Sequence, residues 1–203
     1  MKKVLFITIV SLMAFTACKH SNPVKTIENL KAGIKGETTA SAKYAAFAQK
    51  AKEEGYMNIS KLFEAASKSE SIHAANHTKV LEELGVKMED FTPSFEVKTT
   101  VENLQAAIEG ETYEVTTMYP QFLNDAKTDN VEKASKSFTW ASDTEKKHQQ
   151  FYTKALEALN LKTETALPME YLVCPVCGNT YDKTSVDEKC AFCQTSKEKF
   201  IVI

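Results

Sequence analysis

The chain has 203 residues, 43% of them hydrophobic and 26% charged, with a formal net charge of −2. That length accommodates one ordinary core plus a small extra module. The near-neutral balance leaves no basic stripe and argues against nucleic acid as a partner.

The first residues, MKKVLFITIVSLMAFTAC, have the form of an export signal. Lys2 and Lys3 make a basic start, and Val4 to Phe15 is an apolar run too short to span a bilayer comfortably. The run ends in FTAC, which resembles the lipobox of bacterial lipoproteins, where the cysteine becomes the lipidated first residue. Phe15 stands where that box usually has Leu, and an ordinary cleaved signal with a chance cysteine is the alternative. On the lipoprotein reading, residues 1–17 are a signal peptide, Cys18 carries the lipid and 18–25 form a polar tether. The remainder is then exported and held at a membrane by acyl chains alone.

From residue 26 the chain repeats itself. IENLKAGIKGET (27–38) matches VENLQAAIEGET (101–112), with Ile27 and Val101 standing 74 residues apart. Beyond that point the shift is 75, pairing Tyr44 with Tyr119, Phe47 with Phe122, Phe63 with Phe138, Glu70 with Glu145 and His73 with His148. Ile27, Leu30, Ile34 and Glu37 follow the spacing of one helical face. Helices are expected near 25–53, 59–84, 100–127 and 130–159. Gly55 ends the first, Asn58 can cap the second, and Thr99 with Glu102 forms a capping box for the third. Asp129 can cap the fourth. The segment around Pro93 is a long crossover, and two hairpins joined by one crossover describe a ferritin-like four-helix bundle over 26–160.

Such an interior rejects ionised side chains unless they are paired or bind metal. Glu37 and Glu111 nevertheless fall on core-facing stripes, as do the pairs Glu70/His73 and Glu145/His148. A Glu and a His three residues apart share one helical face and can reach one ion. One Glu from each of two helices, with Glu-x-x-His from each of the others, is a di-metal carboxylate pattern that suits iron or manganese. Surface acids in an acid-rich chain are the bland alternative, and the repetition argues against it. Tyr44 and Tyr119, two turns past Glu37 and Glu111, are candidates to orient those carboxylates, or else plain core tyrosines. His77, whose counterpart is Tyr152, reads as packing or surface, with a supporting role behind the ligands as the lesser alternative.

The repeat is also uneven. One residue is added between Thr112 and Tyr119, where Glu114 has only Thr39 or Ala40 opposite it. An extra residue in a continuous helix is usually absorbed as a π-bulge, so a widened turn near 112–119 should swing Glu114 towards the metals.

After a linker at 161–170 the character changes. Two Cys-x-x-Cys knuckles, Cys174/Cys177 and Cys190/Cys193, can offer four thiolates to one zinc or one iron. Two disulfides are the competing reading for an exported protein, and the Gly after Cys177 favours metal. Residues 171–203 are therefore expected to form a small metal-binding β module.

GET, ESIH, GETYEVTTMYP and EKKH, followed by CPVCG and CAFC, resemble the rubrerythrin family over essentially all of the chain after the signal. The resemblance implies a ferritin-like di-iron domain followed by a rubredoxin-like one. It implies that Glu37, Glu70, Glu111, Glu114, Glu145, His73 and His148 hold two non-haem irons. Glu70 and Glu145 would bridge them, and Glu114 and His73 would alternate on one iron while Glu111 and His148 serve the other. The four cysteines would hold a rubredoxin-type iron, with zinc possible. The implied activity is reduction of hydrogen peroxide to water in oxidative-stress protection, in a homodimer where one chain's cysteine module faces the other's bundle. An exported copy has no reduced pyridine nucleotide pool, which leaves the electron donor unidentified. A ferroxidase or iron-handling protein, and a non-catalytic zinc-containing module, are the alternatives.

Overall fold

The computed structural model describes residues 22–203; the expected signal, the Cys18 lipidation site and the first half of the tether lie outside the described residues. Helix α1 (Val24–Glu53) pairs with α2 (Met57–Glu83), and a crossover without regular structure leads to α3 (Thr100–Tyr113). A π-helical turn, Glu114–Met118, joins α3 to α4 (Tyr119–Thr128), and α5 (Glu132–Asn160) closes the bundle. Among the described residues no helix is long and apolar enough to cross a membrane.

The Thr99–Glu102 capping box forms, with each side chain bonded to the other's backbone. Gly55, at φ +89°, takes the left-handed turn that releases α1 into α2. The other two expected caps are corrected. Asn58 lies inside α2 and donates to the carbonyl of Leu167, 2.5 Å away, tying the linker to the bundle. Asp129 ends α4 instead of starting α5. Its carboxylate accepts from the backbone N–H and the hydroxyl of Thr26, so it serves the first turn of α1. An acid at that end also suits the helix dipole.

Two aromatic layers fill the bundle, and the repeat builds both. Tyr44, Phe47 and Phe63 pack with Tyr152 in one, while Tyr119, Phe122 and Phe138 pack with His77 in the other. The duplicated acids and histidines are buried with them.

The C-terminal module is a three-stranded antiparallel sheet of order β2-β1-β3, with β1 Tyr171–Val173, β2 Thr180–Asp182 and β3 Ile201–Val202. Strand alternation divides β1 between two cores. Tyr171 and Val173 belong to the core of the bundle, whereas Leu172, with Cys174 just beyond the strand, belongs to the module's own. The module thus packs on its own bundle, so a juxtaposition expected between subunits already occurs within one chain.

Candidate metal centres

Two groups of four donors lie at the middle of the bundle. One contains Glu37, Glu70, His73 and Glu145; the other contains Glu70, Glu111, Glu145 and His148. Glu70 and Glu145 are common to both, and their oxygens are divided evenly. Glu70 places Oε2 2.9 Å from His73 Nδ1 and Oε1 3.0 Å from His148 Nδ1. Glu145 places Oε1 2.8 Å from His73 Nδ1 and Oε2 2.8 Å from His148 Nδ1. Glu37 Oε2 stands 4.0 Å from His73 Nδ1, and Glu111 Oε1 3.9 Å from His148 Nδ1. The result is two half-sites of matching composition that share two carboxylates.

The polar atoms here test whether metals fit. Glu37 Oε2, Glu70 Oε1, both oxygens of Glu145 and His148 Nδ1 are buried without any hydrogen-bond partner. Orphaned buried acceptors are costly and rare in native proteins. Donors bound to one ion at 2.0–2.2 Å sit about 3 Å apart, which is the spacing found. Two divalent cations would also balance the four carboxylates of the two groups. The residues present therefore fit a di-metal centre. Charge crowding agrees. Burial, then Glu114 and Glu145, push the Glu37 carboxyl well above the usual range, and burial with Glu145 and Glu70 does the same to Glu111. Burial opposes ionisation of Glu70 too, but His148 and His73 outweigh it and draw it to about 2.

The two tyrosines reach across the repeat. Tyr44, two turns past Glu37, donates to Glu111 at 2.7 Å, and Tyr119, two turns past Glu111, donates to Glu37. Burial and the adjacent carboxylates hold both phenols well above their usual range, so both remain donors. Of the readings of His77, packing is what the structure shows and surface is not. His77 is fully buried and bonds Ser137 Oγ at 2.7 Å and the Tyr119 hydroxyl at 3.1 Å. Its position four residues after His73, on the same helical face, was the available signal.

The inserted residue produces the expected widened turn, a π segment that begins at Glu114. Glu114 itself is in neither donor group; His73 occupies the Glu37 side. The Glu114 carboxyl is still desolvated and near enough to Glu145 and Glu70 to be pushed well above its usual range.

The histidines differ at their far nitrogens. His148 Nε2 meets Thr180 Oγ1 at 2.9 Å, and that hydroxyl donates onward to the Gly178 carbonyl. Thr180 therefore accepts from an Nε2–H, so Nδ1 is the ring nitrogen that faces the carboxylates and would be left bare for an ion. His73 Nε2 is buried with no partner. It faces Gly178, where a Cβ would come within 2.6 Å of His73 Cδ2.

The four cysteines converge as expected. Cys174 and Cys193 sulfurs lie 3.4 Å apart, as do those of Cys177 and Cys190, and all four are free. A disulfide needs about 2.05 Å, whereas thiolates sharing one ion at about 2.3 Å stand under 4 Å apart. Each knuckle closes through a residue of positive φ, Gly178 at +82° and Gln194 at +63°, whose N–H bonds the carbonyl of the knuckle's first cysteine at 3.0 Å. Lys147 of α5 reaches into the module: it donates to Asn179 at 2.7 Å and lies over the ring of Tyr181.

Residues 28–156 match the rubrerythrin family model. Nigerythrin of Nitratidesulfovibrio vulgaris is 36% identical over 176 residues, covering 86% of this chain and 85% of its own. Rubrerythrin-2 of Clostridium acetobutylicum is 33% identical, over 86% of this chain and 95% of its own. A solved structure of nigerythrin in a mixed-valence state superposes with a TM-score of 0.79 at 35% identity, covering 88% of this chain and 86% of its own. A bacterioferritin of Desulfovibrio desulfuricans, 19% identical with a TM-score of 0.65 over 72% of this chain and 86% of its own, shares the fold. The chain belongs to the rubrerythrin family, with a di-iron centre in its bundle and a four-cysteine iron site in its C-terminal module.

Proposed function

We propose that this chain, a di-iron protein of oxidative-stress defence, reduces hydrogen peroxide to water in its bundle and draws electrons through its four-cysteine site. The observation that carries this reading is the pair of half-sites sharing Glu70 and Glu145, with their donor atoms buried and unpartnered. The reaction takes up two electrons and two protons per peroxide and yields two waters. Two adjacent ferrous ions, when bound, supply both electrons, so one O–O bond is cleaved without release of a radical. Glu70 and Glu145 would be shared by the two ions, with Glu37 and His73 holding one and Glu111 and His148 the other. Glu114 would be the carboxylate that takes the place of His73. That assignment is supported by the anchoring of His148 on Thr180 and by the unpartnered far nitrogen of His73. Tyr44 and Tyr119 keep the terminal carboxylates in place through the change. The contact of the Cys177–Thr180 turn with His148 and Ser69 gives electrons a short path from the cysteines.

The test is single-turnover oxidation of the anaerobically reduced protein by stoichiometric peroxide. Glu114→Ala should be oxidised more slowly while retaining its iron. Equal rates would remove Glu114 from the mechanism, and no oxidation of the wild type would remove the peroxidase. We further propose a homodimer, on the strength of the family likeness, attached to a membrane by lipid on Cys18, on the strength of the FTAC sequence. Loss of fatty-acid labelling in Cys18→Ala checks the anchor, and persistence of label would refute it.

A further inference from the structure

The two halves of the bundle diverge together at three places around one carboxylate. His77 stands where the other half has Tyr152, Ser137 where it has Leu62, and Gly33 where it has Ala107. The three residues form one device. A Cβ on Gly33 would sit 3.1 Å from His77 Cδ2, so the glycine leaves room for the imidazole. Ser137 gives the ring a polar partner on one side and Tyr119 gives it one on the other.

Counting protons orders the chain. Tyr119 has one proton and commits it to Glu37, so its oxygen must accept from His77 Nε2–H. Nδ1 is then bare and accepts from Ser137 Oγ–H. Burial keeps the ring neutral. In the other half, Tyr44 donates to Glu111 alone, and the neighbouring Tyr152 hydroxyl is buried without a hydrogen-bond partner. Glu37 is therefore held by a chain of three side chains and Glu111 by one.

We infer that His77 is a positioning residue that fixes Tyr119, and through it Glu37, so that this carboxylate stays in place on the side where His73 and Glu114 exchange. The inference rests on the ligand assignment proposed above. An ion that changes one donor needs another that does not move with it, and the extra anchoring occurs on the side where the far nitrogen of the histidine is free.

The experiment is anaerobic ferrous titration of the full-length, iron-depleted protein, with the two bundle irons distinguished by Mössbauer spectroscopy. His77→Leu should weaken one bundle iron about tenfold, the lower end of what loss of an outer hydrogen-bond partner costs a metal site, and leave the other unchanged. Tyr119→Phe should weaken the same iron, and the double variant should lose no more than the larger single loss, because both act through one chain. His77→Gln, which can accept from Ser137 and donate to Tyr119, should recover most of the affinity. Unchanged affinity in His77→Leu, additive losses in the double variant, or failure of the Gln variant to rescue would each overturn the proposal. Nitrogen-15 NMR gives a readout independent of iron. His77 should be neutral with its proton on Nε2, and a proton on Nδ1 would sink the proposed order. A wild-type bundle taking up fewer than two ferrous ions would instead overturn the ligand assignment, and this role with it.

Discussion

The bundle site draws its donors from four helices, running from Glu37 to His148 along the chain, whereas the cysteine site takes all of its donors between Cys174 and Cys193. The first exists only when the hairpins have packed; the second needs two short turns. The sites also manage charge differently. Of the carboxylates, Glu37 and Glu70 each keep one oxygen without a hydrogen bond and Glu145 keeps both, and these oxygens depend on cations for compensation. The sulfurs have partners besides a metal: Tyr181 and Asn179 approach Cys190, and Thr195 lies 3.0 Å from Cys193. A site made by tertiary packing should therefore fail as a unit, and one made by local turns should fail alone.

Exchanging one atom in each tests this contrast with the largest expected effect. Glu145→Gln keeps the shape but removes the charge that both half-sites share and one of the two donor oxygens that face them. Both bundle irons should be lost, with affinity falling more than about 100-fold, beyond the range of outer-sphere changes. The visible absorption of the ferric four-thiolate site should remain. Cys190→Ser should do the reverse, abolishing that absorption while metal analysis still finds two bundle irons. Loss of both sites in either variant would show that the module and the bundle are one folding unit rather than two metal-binding ones.

The contrast also explains what could be read in advance. Knuckle spacing is a local signal, so all four cysteines were identifiable without a fold. The bundle donors were identifiable only because the chain says the same thing twice, and the shift between copies located the π turn at Glu114. What escaped was whatever depends on a partner distant in sequence. Asp129 and Asn58 look like caps for the nearest helix, but packing presents them to Thr26 and Leu167 instead. His77 carries no spacing signal towards Ser137, and nothing in the spacing of Thr180 points to His148. The crossed pairing of Tyr44 with Glu111 and Tyr119 with Glu37 likewise needs three dimensions.

Gly178 belongs to both sites, and its substitution is the intermediate case. Its φ of +82° closes the first knuckle, and its missing Cβ makes room for His73 Cδ2 and for Ser69 Oγ, which would lie 3.1 Å away. Gly178→Ala should cost about 1–3 kcal/mol from the strained backbone alone, read as a lower Tm of the metal-loaded protein. It should also perturb the iron served by His73 before the one served by His148. Gln194→Gly, at the matching turn of the second knuckle, is the control. It relieves a left-handed residue far from the bundle donors and should leave both irons unchanged. Equal effects of Gly178→Ala on the two bundle irons would show that the strain is not transmitted through His73.

The smallest effect is expected at Thr180, and it bears most directly on how the module reaches the bundle. Its hydroxyl is the link between β2 and a bundle histidine: it accepts from His148 Nε2–H and donates to the Gly178 carbonyl. Valine has nearly the same shape, so Thr180→Val should leave the sheet and the four-thiolate absorption intact. His148 loses the partner that fixes its tautomer, and affinity for the iron on the Glu111 side should fall about tenfold. The His73 side has no such bond to lose and should not change. A loss confined to the Glu111 side would make the cysteine module part of the di-iron site's outer structure as well as its proposed source of electrons. An equal loss on both sides would mean that Thr180 acts only by holding the module in place.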